Sequence, residues 1–268
     1  MYLMTCTRPD LAYPLSLLAR YVAPGRHRKV HWDAAKRVLR YLCSTSGMGL
    51  VLGGRARVVL TGHADASWVD DLTTQRSSQG YTFSLGSGSV SWRSTHSSSV
   101  LSSSCEAEIY AGAMAAQELR WLTYLLTDLG EAPRSPPVLY VDNKAMLVLC
   151  QEHRLEHRTK HIALRYFLAR ELQQRSQLRL AYMASQANTT DVFTKALQPC
   201  DHQPCFTFLT GLVTPCSPPL CLWGSTRSSS VLSSSCEAEI YAGAMAAQEL
   251  RWLTYLLTDV GEKPCLLC

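Results

Sequence analysis

The chain has 268 residues, 47% of them hydrophobic and 18% charged, with a formal net charge of +5. That is the balance of an ordinary globular protein with chain enough for one or two cored domains; the mild basicity permits a phosphate-rich partner without requiring one. No run of about 18 apolar residues occurs, and Arg8, Asp10 and Arg20 interrupt every early apolar run. Neither a membrane span nor a secretory pattern is therefore expected, and an intracellular setting, cytoplasmic or nuclear, is. Four of the 11 cysteines (Cys6, Cys43, Cys105 and Cys150) are scattered singly, as in reduced proteins, and the lone terminal Cys265–Cys268 pair is a poor zinc signal.

Residues 9–22 carry Leu11, Leu15, Leu18 and Tyr21 near helical spacing, and Pro24–Gly25 ends that pattern. Over 30–43 a second amphipathic helix is expected, with Val30, Ala34, Val38 and Leu42 on one face. Arg26, Arg28, Lys29, Lys36, Arg37 and Arg40 form a basic patch around it. From residue 57 the rhythm becomes strand-like: "RVVLTGHADASW" is one strand, and "GYTFSLGSGSVSWRS" is two strands around a Gly-Ser-Gly turn. "SSSVLSSS" is a further strand candidate, and Trp68 and Trp92 read as core residues. Glu106 to Leu129 reads as a long helix stopped by Gly130. Next come a short buried-type strand, "VLYVD", a helix from Asn143, a basic helix over 160–175, the alternating "LRLAYM", and a short helix in "TTDVFTKAL". This order is mixed α/β. Residues 199–227 are rich in Pro, Cys, Gly and Ser, lose all periodicity, and read as a linker.

Several acidic residues fall at telling places. Asp65 and Asp142 lie at strand ends, where open α/β sheets bind ligands. Glu106 and Glu108 open the long helix, and Asp191 opens the last short one. Taken singly, each reads as a cap or a surface acid. Gathered together, carboxylates repel unless hard cations such as Mg²⁺ or Mn²⁺ lie between them. Spacing alone does not establish that convergence.

Five stretches, "GHADASWVDDLTTQRSSQGYTFSLGSGSVSWRS", "LSSSCEAEIYAGAMAA", "LYVDNKAM", "HRTKHIALRYFLARE" and "DVFTKAL", occur in the order found in copia-type retrotransposon Pol polyproteins, where they resemble the ribonuclease H domain. "TRPDLAYPLSLLARYVAPGRHRKVHWDAAKRVLRYL" is similar to the end of the preceding reverse transcriptase. The resemblance implies an α/β fold: a ribonuclease H-like mixed sheet flanked by helices, with a short N-terminal helical segment and a poorly ordered C-terminal tail. It implies metal-dependent endonucleolytic hydrolysis of the RNA strand of RNA–DNA hybrids. Two Mg²⁺ or Mn²⁺ ions would be held by Asp65, Glu108, Asp142 and Asp191, with Glu106 the second choice for the Glu position. His157, Arg158, Lys160, His161 and Arg165 are the candidate phosphate contacts. Other parts of a polyprotein are expected partners. The polymerase Tyr-x-Asp-Asp motif is nowhere in the chain, so no polymerase activity is expected. His63–Ala64, Ser67, Ala163 and Phe167 depart from the family pattern without touching the acidic quartet. The alternative reading is an inactive relic that at most binds nucleic acid or a polyprotein partner.

The 35 residues from Ser97 to Glu131 recur from Ser228 to Glu262 with one change, Leu129 to Val260. The second copy carries Glu237 and Glu239 but no counterpart of "HADASW", "LYVDNKAM" or "DVFTKAL", so it is no independent active site. The expected organisation is a helical segment over 1–52, a ribonuclease H-like domain over 53–199, a linker over 200–227 and a duplicated strand–helix fragment over 228–268.

Overall fold

The computed structural model describes residues 2–52, 59–71, 74–151 and 163–211. They fall into two compact units. One holds the described residues of 1–49 together with 196–203, and the other those of 50–195 with 204–212. The duplicated fragment over 228–268, and most of the expected linker, lie outside the described residues.

The first unit contains α1 (Tyr2–Cys6), a 3-10 turn (Pro9–Leu11), α2 (Ala12–Ala19) and α3 (Lys29–Ser44). Leu11, Leu15, Leu18, Ala34, Ala35, Val38 and Tyr41 form its core. The apolar face of α3 is rotated from the expected one. His31, Ala34, Ala35, Val38 and Tyr41 are buried, whereas Val30 is exposed. His31 serves both the stripe and the helix start: its ring stacks on Tyr21 and its Nδ1 accepts the Arg28 amide at 3.0 Å. A polar knot closes this unit. Arg8 donates to both Asp10 oxygens, to the Thr45 carbonyl and to the Thr45 hydroxyl.

The second unit is built on a five-stranded sheet of β1 (Leu60–Asp71), β2 (Arg76–Leu85), β3 (Ser89–His96), β4 (Val138–Val141) and β5 (Arg179–Tyr182), in the order β3-β2-β1-β4-β5. The first three strands are antiparallel, and β4 and β5 run parallel to β1. Helices α4 (Ser104–Asp128), α5 (Lys144–Gln151) and α6 (Ala163–Gln174) belong to the same unit. This is the mixed α/β sheet flanked by helices that the motif order implied. Phe83, Ile109, Leu119, Leu139, Met146 and Leu178 fill its core, and burying such side chains is the main drive to this packing. Gly112 lets α4 approach closely, since a Cβ there would stand 2.2 Å from the Met146 methyl.

Three further expectations need correction. "SSSVLSSS" is not a strand: Ser103 caps α4 by accepting the Glu106 amide, and the Leu101 carbonyl takes the Trp68 indole N–H. Trp68 itself is half exposed, not core. Residues 199–210 are not a loop but helix α7 (Pro199–Thr210), with Pro204 inside it and Phe206 and Leu209 buried.

Candidate active site

The site grows from the middle of the sheet. β1 is the central strand, so Asp65 on it is wholly buried. β4 pairs parallel to β1 with His63 opposite Tyr140. Two residues further along each strand, that register sets Asp142 beside Asp65, on the same side of the sheet. Asp142 has just left β4, and its Oδ2 accepts the Ser185 hydroxyl at 2.8 Å. Glu108 arrives from the second turn of α4, whose Ala107 and Ala111 pack on Ala66 and Leu101. Its carboxylate accepts the backbone N–H of Ala66. One carboxylate oxygen from each of Asp65, Glu108 and Asp142 lies within 4.8 Å of the other two.

Glu106 goes elsewhere. Its Oε2 accepts the Ser102 amide and hydroxyl, both at 2.6 Å, while its own amide donates to Ser103. It is a capping residue of α4.

Asp191 stands in a 3-10 turn, Thr189–Phe193. Three contacts pin this segment to the strands. Asn188 donates to the Ala64 carbonyl at 3.1 Å, Ser94 donates to the Phe193 carbonyl at 2.7 Å, and Phe193 rests on Gly80. Gly80 pairs with Asp65 across β1 and β2, and a Cβ on it would stand 2.4 Å from the Phe193 Cβ. The missing side chain thus brings the turn down onto Asp65. Thr194 then donates its hydroxyl to Asp65 Oδ2. The Lys195 ammonium lies 2.9 Å from Asp191 Oδ1 and 3.5 Å from Asp65 Oδ2. Asp191 itself stands outside the group of three and joins it through Lys195.

Electrostatically the group is under-compensated. Burial raises the Asp65 carboxyl pKa, the acids Asp191 and Asp142 raise it further, and Lys195 and Thr194 oppose them. Glu108 is raised by burial and then by Asp65 and Asp142. Burial alone would lower Lys195, but Asp65, Asp191 and Asp142 outweigh it and hold the ammonium charged. Asp65 Oδ1 is buried with no hydrogen-bond partner. A buried carboxylate oxygen left bare beside two more carboxylates fits a hard divalent cation, which takes oxygen ligands and cancels their repulsion.

Sequence reasoning named Asp65, Glu108, Asp142 and Asp191 but passed over Asn188, Ser185, Thr194 and Lys195. For Lys195 a signal was present, since it follows Asp191 by four residues within "DVFTKAL". Of the candidate phosphate contacts, His157, Arg158, Lys160 and His161 lie outside the described residues. Arg165 falls in α6, with its side chain likewise outside them.

Asp65 lies in the middle of β1 rather than at the strand end expected from the sequence, because β1 continues to Asp71; Asp142 follows β4 and Glu108 stands on α4. Comparison with known sequences gives the lineage. No protein-family model matches the chain. It is 35% identical over 198 residues to the retrovirus-related Pol polyprotein from transposon TNT 1-94 of Nicotiana tabacum, a match covering 74% of this chain and 14% of the relative. It is 38% identical over 191 residues to the Pol polyprotein from transposon RE2 of Arabidopsis thaliana, covering 71% and 13%. A protein of Plasmopara viticola described as secreted RxLR effector protein 161 is 45% identical over 123 residues, covering 46% of this chain and 85% of that one. The chain belongs to the copia-type retrovirus-related Pol polyproteins of transposons. It spans about one seventh of the length of the transposon polyproteins it matches. Among solved structures, the N-terminal RNase H domain of rv2228c from Mycobacterium tuberculosis is 13% identical, with a TM-score of 0.38 over 51% of this chain and 91% of that one. RNase H1 from Halobacterium salinarum is 14% identical, with a TM-score of 0.38 over 50% and 93%. Among the described residues, no helix is long and apolar enough to cross a membrane.

Proposed function

We propose that the sheet-bearing unit hydrolyses the RNA strand of RNA–DNA hybrids as part of a retrotransposon Pol-like protein, with two Mg²⁺ or Mn²⁺ ions held by Asp65, Glu108, Asp142 and Asp191. The observation that carries this reading is the convergence of Asp65, Glu108 and Asp142, with a buried Asp65 oxygen left unpaired. The family membership and the ordered motifs support it. When bound, such ions supply positive charge to an attacked phosphoryl group and to its leaving oxygen. The chain's own residues set the geometry. Asp65 and Asp142 come from paired strands, so their separation is fixed by the sheet. Glu108 is held by α4 and by the Ala66 amide. Ser185 orients Asp142, and Thr194 orients Asp65.

The full chain, given a labelled hybrid and Mg²⁺ or Mn²⁺, should cut the RNA strand. Asp65→Asn should lower the rate at least about 100-fold, as expected on loss of a metal ligand. Hybrid binding without cleavage in either metal would replace this reading with that of an inactive relic that retains nucleic-acid affinity.

A further inference from the structure

Lys195 belongs to the site but to none of the roles above. Its ammonium occupies the gap between Asp191 Oδ1 and Asp65 Oδ2, at 2.9 and 3.5 Å. Asp65 is therefore divided. Its Oδ2 is engaged by Thr194 and faces the ammonium, whereas its Oδ1 is buried and bare. Resting on the reading of this cluster as a metal site, we infer that Lys195 is a resident cation that the second divalent ion must displace, so that the site fills in two steps.

The argument is one of competition for oxygens. The first ion would need Asp65, Glu108 and Asp142, whose oxygens already converge, and of these three Lys195 forms an ion pair with Asp65. A second ion held by Asp65 and Asp191 would compete for the oxygens that the ammonium faces. A single positive charge holds them less firmly than a divalent ion, but it must still be moved, and its charge opposes the newcomer at a few ångströms. The Lys195 side chain is 36% exposed and flexible, so it can swing outward without disturbing the core. Before the second ion arrives, Lys195 keeps Asp191 close to Asp65 against their mutual repulsion. Lys195 is thus a positioning residue in the metal-free site and a competitor during loading.

The test is calorimetric titration of Mn²⁺ into the metal-free full chain, with circular dichroism to verify that each variant is folded. The wild type should bind one ion tightly and a second at least about tenfold more weakly, the separation that an opposing unit charge at this range produces even when well screened. Lys195→Met keeps the length and removes the charge. It should tighten the second ion by about tenfold and leave the first less changed. Lys195→Arg should keep the two-step curve. Two equal affinities in the wild type, or a second affinity unchanged in folded Lys195→Met, would overturn the inference. So would a variant with both ions weakened, which would make Lys195 a purely structural residue. A two-step curve released by Lys195→Met in a chain that cuts no hybrid would uphold this inference while sinking the catalytic reading. No Mn²⁺ bound by folded wild type would overturn both.

Discussion

Two buried aspartates set the terms of this molecule. Asp10, in the helical unit, has its carboxylate covered by the Arg8 guanidinium, which is itself held by Thr45. Asp65, in the sheet, is as deeply buried but sits among Glu108, Asp142 and Asp191, with one lysine to share and one oxygen bare. The first arrangement is complete as it stands and has nothing left to bind. The second is held against its own repulsion by the strands and helix around it, and in the proposed reading cations would complete it. Burial alone does not separate structure from function; what separates them is whether the buried charge is already matched.

Breaking each cluster by one charge should therefore give opposite results. Arg8→Met leaves Asp10 buried beside Tyr41 without its counter-charge and should cost about 3–5 kcal/mol, seen as a large drop in the urea midpoint. Asp65→Asn removes an unmatched charge and should raise that midpoint in metal-free buffer at pH 8, while abolishing any rise caused by Mn²⁺. A drop of similar size in both variants would erase the distinction.

A next, smaller effect tests how the turn carrying Asp191 is seated. Gly80→Ala drives a methyl into Phe193 and should cost about 1–3 kcal/mol, with hybrid cleavage falling too because Asp191 and Lys195 ride on that turn. Unchanged melting would show that the close approach is unimportant.

Acidity sharpens the comparison further. Asp65 and Glu108 bind protons more tightly folded than unfolded, because their carboxyls are raised by burial and by each other. The stability they contribute is fully present below the ordinary carboxyl range, near pH 4, and is lost as the pH rises through their raised folded values. Buried His63, whose pKa is lowered by burial, works in the opposite sense, so the comparison is with Asp65→Asn: metal-free wild type should melt progressively lower relative to that variant as the pH rises from about 4 toward and past neutrality. The increase in melting temperature on adding Mg²⁺ should grow over the same interval. A metal effect equal at pH 5 and pH 8 would contradict the raised carboxyls.

The smallest effect separates the two glutamates of α4. Glu106→Ala removes a cap and should cost about 0.5–2 kcal/mol while leaving hybrid cleavage in place. Glu108→Ala should abolish cleavage. Equal activity loss in the two variants would undo the assignment of Glu108.

Much of this was legible in the sequence because it is local. Strand alternation marked β1 to β3, the Gly130 stop marked the end of α4, and Asp142 stood out at a strand end, whereas Asp65, read as a strand end, lies in the middle of β1 because that strand runs on to Asp71. Their meeting is not local. It depends on the parallel β1–β4 register, and only the order of the motifs pointed to it. Thr194 reaches Asp65 across 129 residues of chain, so no window of sequence contains that bond. In the strand candidate 97–104, Ser102 gives its amide and hydroxyl to Glu106 and Ser103 accepts the Glu106 amide, so these serines serve the start of α4, while Ser97 pairs with Ser77. In α7, prolines and cysteines hide a helix whose buried residues show only once the chain is packed. On α3, His31 joins a stripe that apolar periodicity assigns to Val30.

The most direct test of the central claim is single-turnover cleavage of an end-labelled RNA–DNA hybrid by the full chain, stripped of metal and then resupplied with Mn²⁺. The account predicts no cutting after chelation, cutting of the RNA strand alone when Mn²⁺ returns, and none with Asp65→Asn. Cleavage that survives chelation, or that runs equally fast in Asp65→Asn, would contradict it.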